Sequence, residues 1–391
     1  MTNDMTRMNV RLLAAVAVCA SVTACFKDEP LGAECDIERA WIHYDRPEEC
    51  VWNLSDTIVN EVYSAESKIT FRVKPGTDRT RLAPQFVTTD RATLEPASGT
   101  ILDFSHGALP YTVTSEDGAW QRRYEVAFVE EHHTTRDTVC YDFELFDLEE
   151  TSKYYKWSEL REDGTLIDNW ASGNGGFAIS NPSAKPDEYP TVPVEDGYEG
   201  YGVRLTTSKT GPIAALMNIP MAAGNLFVGK FNTGSALMKP LESTQFGEPF
   251  DKKPLKFTGY YKYRPGETFQ DRYGNVMADS VDTGAIYAIF FKNHDADGNV
   301  VTLDGNNVQT SEYIVAKAIM AEVTPTEEWT AFEIPFDYSF HAFSQETLET
   351  FGYSLTVVFS SSKGGATFRG AIGSTLHIDK VRVICETEMT E

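Results

Sequence analysis

Short segments in which polar and apolar residues alternate recur along the chain and predict β-strands. The segments 67–73 and 122–128 both alternate with a period of two. Such a period places successive side chains on opposite faces of a sheet, as in a half-buried strand. Between residues 38 and 131, such segments follow one another about every 8–12 residues, separated by turns rich in Gly, Pro and Asp. This spacing predicts a small immunoglobulin-like β-sandwich that serves as a spacer.

Residues 137–391 continue the same pattern over a longer region. Strands are predicted at 138–144, 203–205, 255–263, 285–291, 329–335, 354–359 and 376–384, and one helix at 344–351 with Ser344 as its N-cap. The segment 255–263 has two distinct faces: Phe257, Tyr261 and Tyr263 share one, and Lys256, Thr258, Tyr260 and Lys262 share the other. A jelly roll of two packed antiparallel sheets accounts for this content. The whole chain is therefore predicted to be all-β, with two successive β-sandwiches.

The first 24 residues have the pattern of an export signal. Arg7 and Arg11 precede an apolar run at 12–22. This run is shorter than the ~20 residues that a membrane-spanning helix requires. The sequence Val22-Thr23-Ala24-Cys25 resembles a bacterial lipobox, in which the cleaved chain begins with a lipid-bearing cysteine. We therefore predict a signal peptide at 1–24, a lipid on Cys25 and a tether at 25–37. An ordinary signal peptide that happens to contain a cysteine is the alternative.

The charged run 27–29 resembles a signal that sends lipoproteins to the cell surface, so we expect an outer-membrane lipoprotein displayed on the outside. The chain has 34 Lys and Arg against 58 Asp and Glu, a formal net charge of −24. A surface this acidic repels phosphate backbones, so nucleic acid is not an expected partner. The chain is also rich in aromatic residues, with 23 Phe, 18 Tyr and 6 Trp.

Four cysteines remain once Cys19 is removed with the signal peptide and Cys25 carries lipid: Cys35, Cys50, Cys140 and Cys385. Export exposes a chain to an oxidising compartment, and four cysteines allow three pairings. We predict a local Cys35–Cys50 disulfide. We also predict a Cys140–Cys385 disulfide, because these two residues lie on the first and last predicted strands of the second region. Four reduced thiols are the alternative.

Aromatic residues outside the predicted core are candidates for carbohydrate contact, because sugar rings stack on aromatic faces while their hydroxyls bind amides and carboxylates. Trp170 lies in a Gly- and Asn-rich stretch together with Asn174. Trp157 lies among polar residues, and Tyr260 falls on the lysine-bearing face of its strand. Packing in the core is the alternative for each of them.

Four runs, at 169–177, 224–229, 257–261 and 282–287, resemble in order and spacing the putative carbohydrate metabolism domain (PCMD), from about residue 139 to the end. The resemblance implies a galactose-binding-like jelly roll, carried on a surface lipoprotein behind an Ig-like module. In carbohydrate-binding jelly rolls the terminal strands lie side by side, and acidic groups there often hold calcium. The resemblance thus implies a structural calcium on Glu144 and Asp379, with exposed carboxylates as the alternative, and no other cofactor.

Together these features favour a non-catalytic protein that binds an oligo- or polysaccharide and works beside other surface glycan-utilisation proteins. A glycoside hydrolase and a structural or adhesive surface subunit are the alternatives. Glycoside hydrolysis needs two carboxyl groups about 5–10 Å apart, and the sequence marks no such pair among its 58 acidic residues. It also contains no nucleophile elbow, no zinc-protease motif and no P-loop.

Overall fold

The computed structural model describes residues 31–60, 62, 67–161 and 164–387. The predicted signal peptide, Cys25 and the first part of the tether lie outside the described residues. The fold is nearly all-β: an Ig-like sandwich is followed by a jelly-roll sandwich. Within the described ranges, no helix has the length and apolar character needed to cross a membrane.

The first sandwich packs one sheet of order β2-β1-β4 on another of order β3-β7-β6-β5. Its strands are β1 (Ile37–Trp41), β2 (Ile58–Val59), β3 (Lys68–Val73), β4 (Gln85–Thr88), β5 (Thr93–Glu95), β6 (Leu109–Thr114) and β7 (Gln121–Glu130). The pair β3–β7 is parallel and the remaining pairs are antiparallel. On β3 the side chains of Ile69, Phe71 and Val73 are buried and the residues between them are not, so the alternation at 67–73 predicted this strand correctly.

The second sandwich starts at β8. Its first strands are β8 (Thr138–Tyr141), β9 (Phe146–Leu148), β10 (Tyr155–Trp157), β11 (Glu159–Leu160), β12 (Leu166–Ile167), β13 (Trp170–Ala171), β14 (Thr191–Val194), β15 (Gly202–Thr206), β16 (Ser208–Lys209) and β17 (Met221–Ala222). The later ones are β18 (Asn225–Phe231), β19 (Thr244–Phe246), β20 (Glu248–Pro249), β21 (Pro254–Arg264), β22 (Phe269–Gln270), β23 (Ala285–Lys292), β24 (Ile314–Ile319), β25 (Thr326–Pro335), β26 (Tyr353–Ser360), β27 (Gly370–Ala371) and β28 (Thr375–Cys385).

Two large antiparallel sheets form the layers of this jelly roll. One has the order β14-β15-β28-β21-β25, with β8 also pairing with β28. The other has the order β13-β18-β26-β23-β24, with β19 and β20 attached. The predicted core face of β21 is confirmed, because Phe257, Tyr261 and Tyr263 are all buried between the sheets. The opposite face of β21 therefore points away from the core.

The described chain has more helix than the sequence predicted. The α-helices are α1 (Pro47–Cys50), α2 (Asn174–Ser180), α3 (Pro212–Leu216) and α4 (Gln345–Glu349). Single 3₁₀ turns lie at Leu54–Thr57, Pro186–Glu188, Thr233–Ser235 and Gly365–Thr367. The predicted helix is confirmed as α4, whose N-cap Ser344 accepts a hydrogen bond from the backbone N–H of Thr347. The helix α2 was missed because its Gly-rich sequence has low helix propensity.

The four cysteines are free thiols in this structure, so both predicted disulfides are wrong. The first and last strands of the jelly roll do lie side by side, but Cys140 is paired with Arg382 rather than with Cys385. Residues 382 and 385 are an odd number of positions apart on a strand, so their side chains point to opposite faces. Cys140 is accordingly exposed and Cys385 is buried.

A network of charged residues joins the two sandwiches. Arg72 of β3 pairs with Glu131, Nε to Oε2 at 3.5 Å, and with Glu248 of β20. Arg161 approaches the second oxygen of Glu131 at 3.0 Å. Around this network, Trp52 and His133 pack on the ring of Phe351, and Asn53 donates a hydrogen bond to the carbonyl of Thr350 at 2.9 Å.

Candidate functional site

Three polar residues form a row across the outer face of the six-stranded sheet. Arg204 of β15, His377 of β28 and Lys262 of β21 each lie between two residues that are buried in the core. The register pairs His377 with Arg204 on one side and with Lys262 on the other. Neighbouring strands are about 4.8 Å apart, so the backbones of Arg204 and Lys262 are about 10 Å apart. We call Arg204, His377 and Lys262 the polar row.

Three aromatic rings lie beside the polar row. The rings of Tyr198 and Tyr260 are stacked, with centroids 3.6 Å apart and planes at 9°. Trp329 of β25 meets Tyr198 edge-on at 6.4 Å, and the Nζ atom of Lys262 lies 4.8 Å from the Trp329 ring centroid. Tyr198 keeps 46% of its surface exposed. We call Tyr198, Tyr260 and Trp329 the aromatic group, and the group with the polar row the outer-face site.

Tyr198 is presented by a tight loop, 195–201, between β14 and β15. The backbone N–H of Gly197 donates to the carbonyl of Gly200 at 3.0 Å. Gly200 has a φ of +77°, and a Cβ atom there would lie 2.2 Å from Oε1 of Glu144. Only glycine suits that conformation and that contact without strain. The loop therefore lies against Glu144, which follows β8, the first strand of the jelly roll.

Glu144 and Asp379, the predicted calcium ligands, instead fasten this loop. Both carboxylate oxygens of Glu144 accept from the backbone N–H of Tyr201 at 3.2 Å. Asp379 is fully buried, and its Oδ2 accepts from the backbone N–H of Glu199 at 2.9 Å. Burial raises the pKa of Asp379, while the backbone N–H groups of Glu199 and Lys380 oppose the rise. These hydrogen bonds offset part of the desolvation cost of the carboxylate.

Lys380 places a cation beside Glu144, one of the two predicted calcium ligands. The ammonium of Lys380 lies 3.3 Å from Asp142, 3.9 Å from Glu144 and 3.5 Å from Glu199. Burial disfavours its charge, but the carboxylates of Asp142 and Glu199 raise the pKa of Lys380. Across the described residues, no cluster of three or more His, Cys, Asp and Glu side chains is arranged to hold a metal ion.

His377, at the centre of the polar row, is uncharged near neutral pH. Burial lowers the pKa of His377 to about 4; Asp196 opposes this shift, while Lys262 and Arg204 reinforce it. Neither ring nitrogen of His377 has a hydrogen-bond partner among the described residues. A neutral imidazole has one donor and one acceptor nitrogen, so this side chain has capacity for an incoming polar group.

Three of the four predicted carbohydrate-contact residues are in the core, which corrects their assignment. Trp170 is 5% exposed and Trp157 is 1% exposed, so neither offers a free ring face. Asn174 is fully buried, and its side chain bonds to both the N–H and the carbonyl of Thr191. The Gly- and Asn-rich stretch begins α2, and its residues Asn174 and Gly175 are buried. Tyr260 does lie on the outer face, as its position in β21 predicted.

One further carboxyl group has an unusual environment. Glu159 accepts a hydrogen bond from Nε1 of Trp170 at 2.8 Å. Burial raises the pKa of Glu159 to about 7, and the nearby charge of Asp142 acts in the same direction. A carboxyl group that holds a proton near neutral pH can act as a general acid.

Sequence reasoning missed Arg204, Tyr198, Trp329 and His377. The strict alternation Leu376-His377-Ile378 was a usable signal, because two buried neighbours direct His377 outward. Tyr198 had no such signal, since it lies in a loop that is ordered by contacts with residues distant in sequence.

Comparisons with known proteins agree with this architecture. The profile described as Putative carbohydrate metabolism domain matches residues 142–384. The profile described as SGBP, N-terminal, which represents a domain of surface glycan-binding proteins, matches residues 51–127. No curated protein matches the chain significantly.

Two solved structures are similar over most of their own length. One is a putative glycoside hydrolase from Bacteroides thetaiotaomicron, 38% identical, with a TM-score of 0.78, covering 93% of this chain and 100% of that one. The other is a putative glycoside hydrolase from Bacteroides vulgatus, 36% identical, with a TM-score of 0.59, covering 63% of this chain and 98% of that one. The resemblance carried by the four short runs is thus confirmed, and the chain belongs to the putative carbohydrate metabolism domain family, with an SGBP-type domain in front.

Proposed function

We propose that this chain is a surface-anchored carbohydrate-binding protein whose ligand lies on the outer-face site. The observation that carries the proposal is the stacked pair Tyr198–Tyr260 with Trp329 beside it on a sheet face directed away from the core. Membership of a carbohydrate-related family and the SGBP-type domain support the same conclusion.

The geometry suits a sugar ring because one face of Tyr198 is already covered by Tyr260 and the residue is still 46% exposed. A pyranose has an apolar face of C–H groups that packs on such a ring, while its hydroxyls reach polar side chains at the edge. The loop 195–201 is fastened by Glu144 and Asp379 before any ligand arrives. Binding therefore costs little loop ordering, which favours affinity.

The binding experiment is affinity electrophoresis or calorimetry with a panel of polysaccharides. Tyr198→Ala and Trp329→Ala should each weaken binding by about threefold to tenfold, since an aromatic stacking contact contributes about 0.5–1.5 kcal/mol. Trp120→Ala is the matched control, because Trp120 is a 61% exposed tryptophan on the first sandwich. Equal affinities for all three variants and the unaltered protein would reject the outer-face site as the binding surface.

The proposed anchor is a lipid on Cys25, a residue that lies outside the described residues. Lipidation there would hold the jelly roll beyond the first sandwich, away from the membrane. Expression of Cys25→Ala in a host that processes lipoproteins is expected to move the protein from the membrane fraction to the soluble fraction. Labelling of intact cells with an antibody or a protease then tests whether the protein is displayed outside.

Glycoside hydrolysis is a second candidate function, favoured by Glu159. Its pKa of about 7 would keep it protonated as a general acid, and Asp142 is a neighbouring carboxylate. The two Bacteroides relatives are described as putative glycoside hydrolases. Release of reducing sugar by the purified chain, abolished in Glu159→Gln, would establish this activity. Binding without release, unchanged in Glu159→Gln, would leave only the binding function.

A further inference from the structure

The outer-face site carries positive charge in a chain whose formal net charge is −24. Arg204 and Lys262 belong to the polar row, and Arg264 follows Lys262 two positions later on the same strand face. Arg204 and Lys262 lie on the two strands that flank β28, and each is paired in register with His377. The site therefore presents two cations about 10 Å apart on one sheet face.

Other cations of the same sheet face have carboxylate partners. Lys256 pairs with Glu333 at 2.7 Å, and Arg382 pairs with Asp142. In contrast, Arg204, Lys262 and Arg264 have no carboxylate oxygen within 4.0 Å in the described part of the chain. Arg204 donates only to the carbonyl of Asp187, at 3.3 Å. On this sheet face, the cations without a carboxylate partner therefore lie beside the aromatic group.

We infer that the polar row binds the acidic group of an anionic oligosaccharide, a carboxylate or a sulfate ester, next to the sugar ring that stacks on the aromatic group. This inference rests on the proposed function and specifies its ligand class. Arg204 provides a planar fork of donors that matches an oxyanion, and Lys262 provides a compact ammonium. Each would gain an anionic partner, which the described residues do not supply within 4.0 Å.

The positions of these groups fit one acidic sugar unit. The Nζ atom of Lys262 lies 4.8 Å from the Trp329 centroid. A sugar whose acidic group binds this Nζ atom would therefore have its ring beside the aromatic group. His377 lies between the two cations and contacts Trp329 edge-on at 6.4 Å. Because its imidazole is neutral, it adds a hydrogen-bond donor without adding a third repelling charge to the row.

The test is calorimetry on the whole protein with three probes. These are an oligogalacturonate, which carries only carboxylates, a sulfated galactan oligosaccharide, which carries only sulfates, and a neutral galacto-oligosaccharide. Each is measured at low and high NaCl, because salt screens binding between charges and leaves stacking nearly unchanged. The variants are Arg204→Gln/Lys262→Gln and the control Lys256→Gln, whose lysine lies on the same strand but is already paired.

We expect at least one acidic probe to bind more tightly than the neutral one, and its affinity to fall with salt. The double variant should lose about tenfold or more of that affinity, while Lys256→Gln should not. Whichever acidic probe binds identifies the group as carboxylate or sulfate. Equal binding of neutral and acidic probes, or an acidic probe that binds the double variant normally, overturns the inference but leaves the proposed function intact. If none of the three probes binds and a wider polysaccharide panel also fails, the proposed function fails with it.

Discussion

The buried carboxylate of Asp379 accepts a hydrogen bond from the backbone N–H of Glu199 at 2.9 Å, and Glu199 directly follows Tyr198. Asp379 lies on β28, two positions from His377. One strand therefore supplies both the centre of the polar row and the anchor of the loop that carries the outermost aromatic ring. The two halves of the outer-face site are coupled through this single strand.

Substitution of Asp379 by Asn is expected to loosen the loop 195–201. The two carboxylate oxygens of Asp379 accept from the backbone N–H groups of Glu199 and Lys380. Asparagine has only one side-chain oxygen, so one of these two hydrogen bonds is lost. Loss of a hydrogen bond to a charged group costs about 1.5–3 kcal/mol. Amide hydrogen exchange in 195–201 should therefore accelerate by about tenfold or more, and glycan affinity should fall.

The matched control for this change is Asp282→Asn. Asp282 is also a buried aspartate, and its Oδ2 accepts from Ser362, Ala371 and Ser374. This variant should be destabilised as well, but exchange in 195–201 should keep its original rate. The same loop protection in Asp379→Asn as in the unaltered protein would contradict the anchoring role.

Removal of divalent cations should leave stability unchanged. The ammonium of Lys380 already lies among Asp142, Glu144 and Glu199, so the fold does not need calcium to neutralise them. Thermal unfolding with and without EDTA should give the same Tm. Lys380→Gln should lower the Tm, since it leaves three carboxylates close together. A fall in Tm on addition of EDTA to the unaltered protein would show that a metal is bound.

The strand pattern could be predicted from the sequence wherever one face of a strand is buried. The two faces of β21 followed directly from its alternation, because Phe257 and Tyr261 pack into the core and Tyr260 does not. The adjacency of the terminal strands followed from the family resemblance. Their register did not, because no local pattern indicates that Cys140 lies opposite Arg382.

The candidate site was only partly predictable, because contacts between residues distant in sequence determine which side chains are exposed. Trp170 looked exposed because Gly and Asn surround it, yet tertiary contacts bury it against Tyr141 and Phe143. Glu144 and Asp379 both accept hydrogen bonds from the loop 195–201, a role that the family resemblance did not imply. Their task depends on the loop 195–201 and on Lys380, which no local pattern places beside them.

The lowered pKa of His377 predicts a loss of stability in mild acid. The imidazole is protonated below about pH 6.5 in the unfolded chain but only below about pH 4 in the folded protein. Between these two pH values only the unfolded chain takes up the proton. The free energy of unfolding is thus fully retained above pH 6.5 and falls as the pH drops toward 4. The full shift corresponds to roughly 3 kcal/mol in the free energy of unfolding.

Urea unfolding at pH 7 and at about pH 4.5 checks this sign. His377→Gln should lose less stability than the unaltered protein between these two conditions, because glutamine does not titrate. His43→Gln is the control, since the side chain of His43 is 80% exposed. An identical acid response of His377→Gln and the unaltered protein would show that His377 takes up a proton equally in both states.

The contact between the two sandwiches should depend on Arg72. Burial disfavours its charge, but Glu248 and Glu131 raise the pKa of Arg72, so it is a fully charged member of the network. Arg72→Met leaves these carboxylates partly uncompensated, and one of them, Glu131, is buried. The expected cost is about 3–5 kcal/mol in the free energy of unfolding. In urea, the two sandwiches should then unfold in separate transitions.

Lys68→Met is the control for this change, because the Lys68–Asp168 pair also joins the two sandwiches but its side chains are 63% and 55% exposed. An exposed pair of this kind contributes about 1 kcal/mol or less. Arg72→Met/Glu248→Met should recover part of the stability lost in Arg72→Met, since it removes a carboxylate that the first change left without its partner. Equal and small effects of Arg72→Met and Lys68→Met would mean that the sandwiches are joined by the packing of Trp52 and His133 on Phe351 instead.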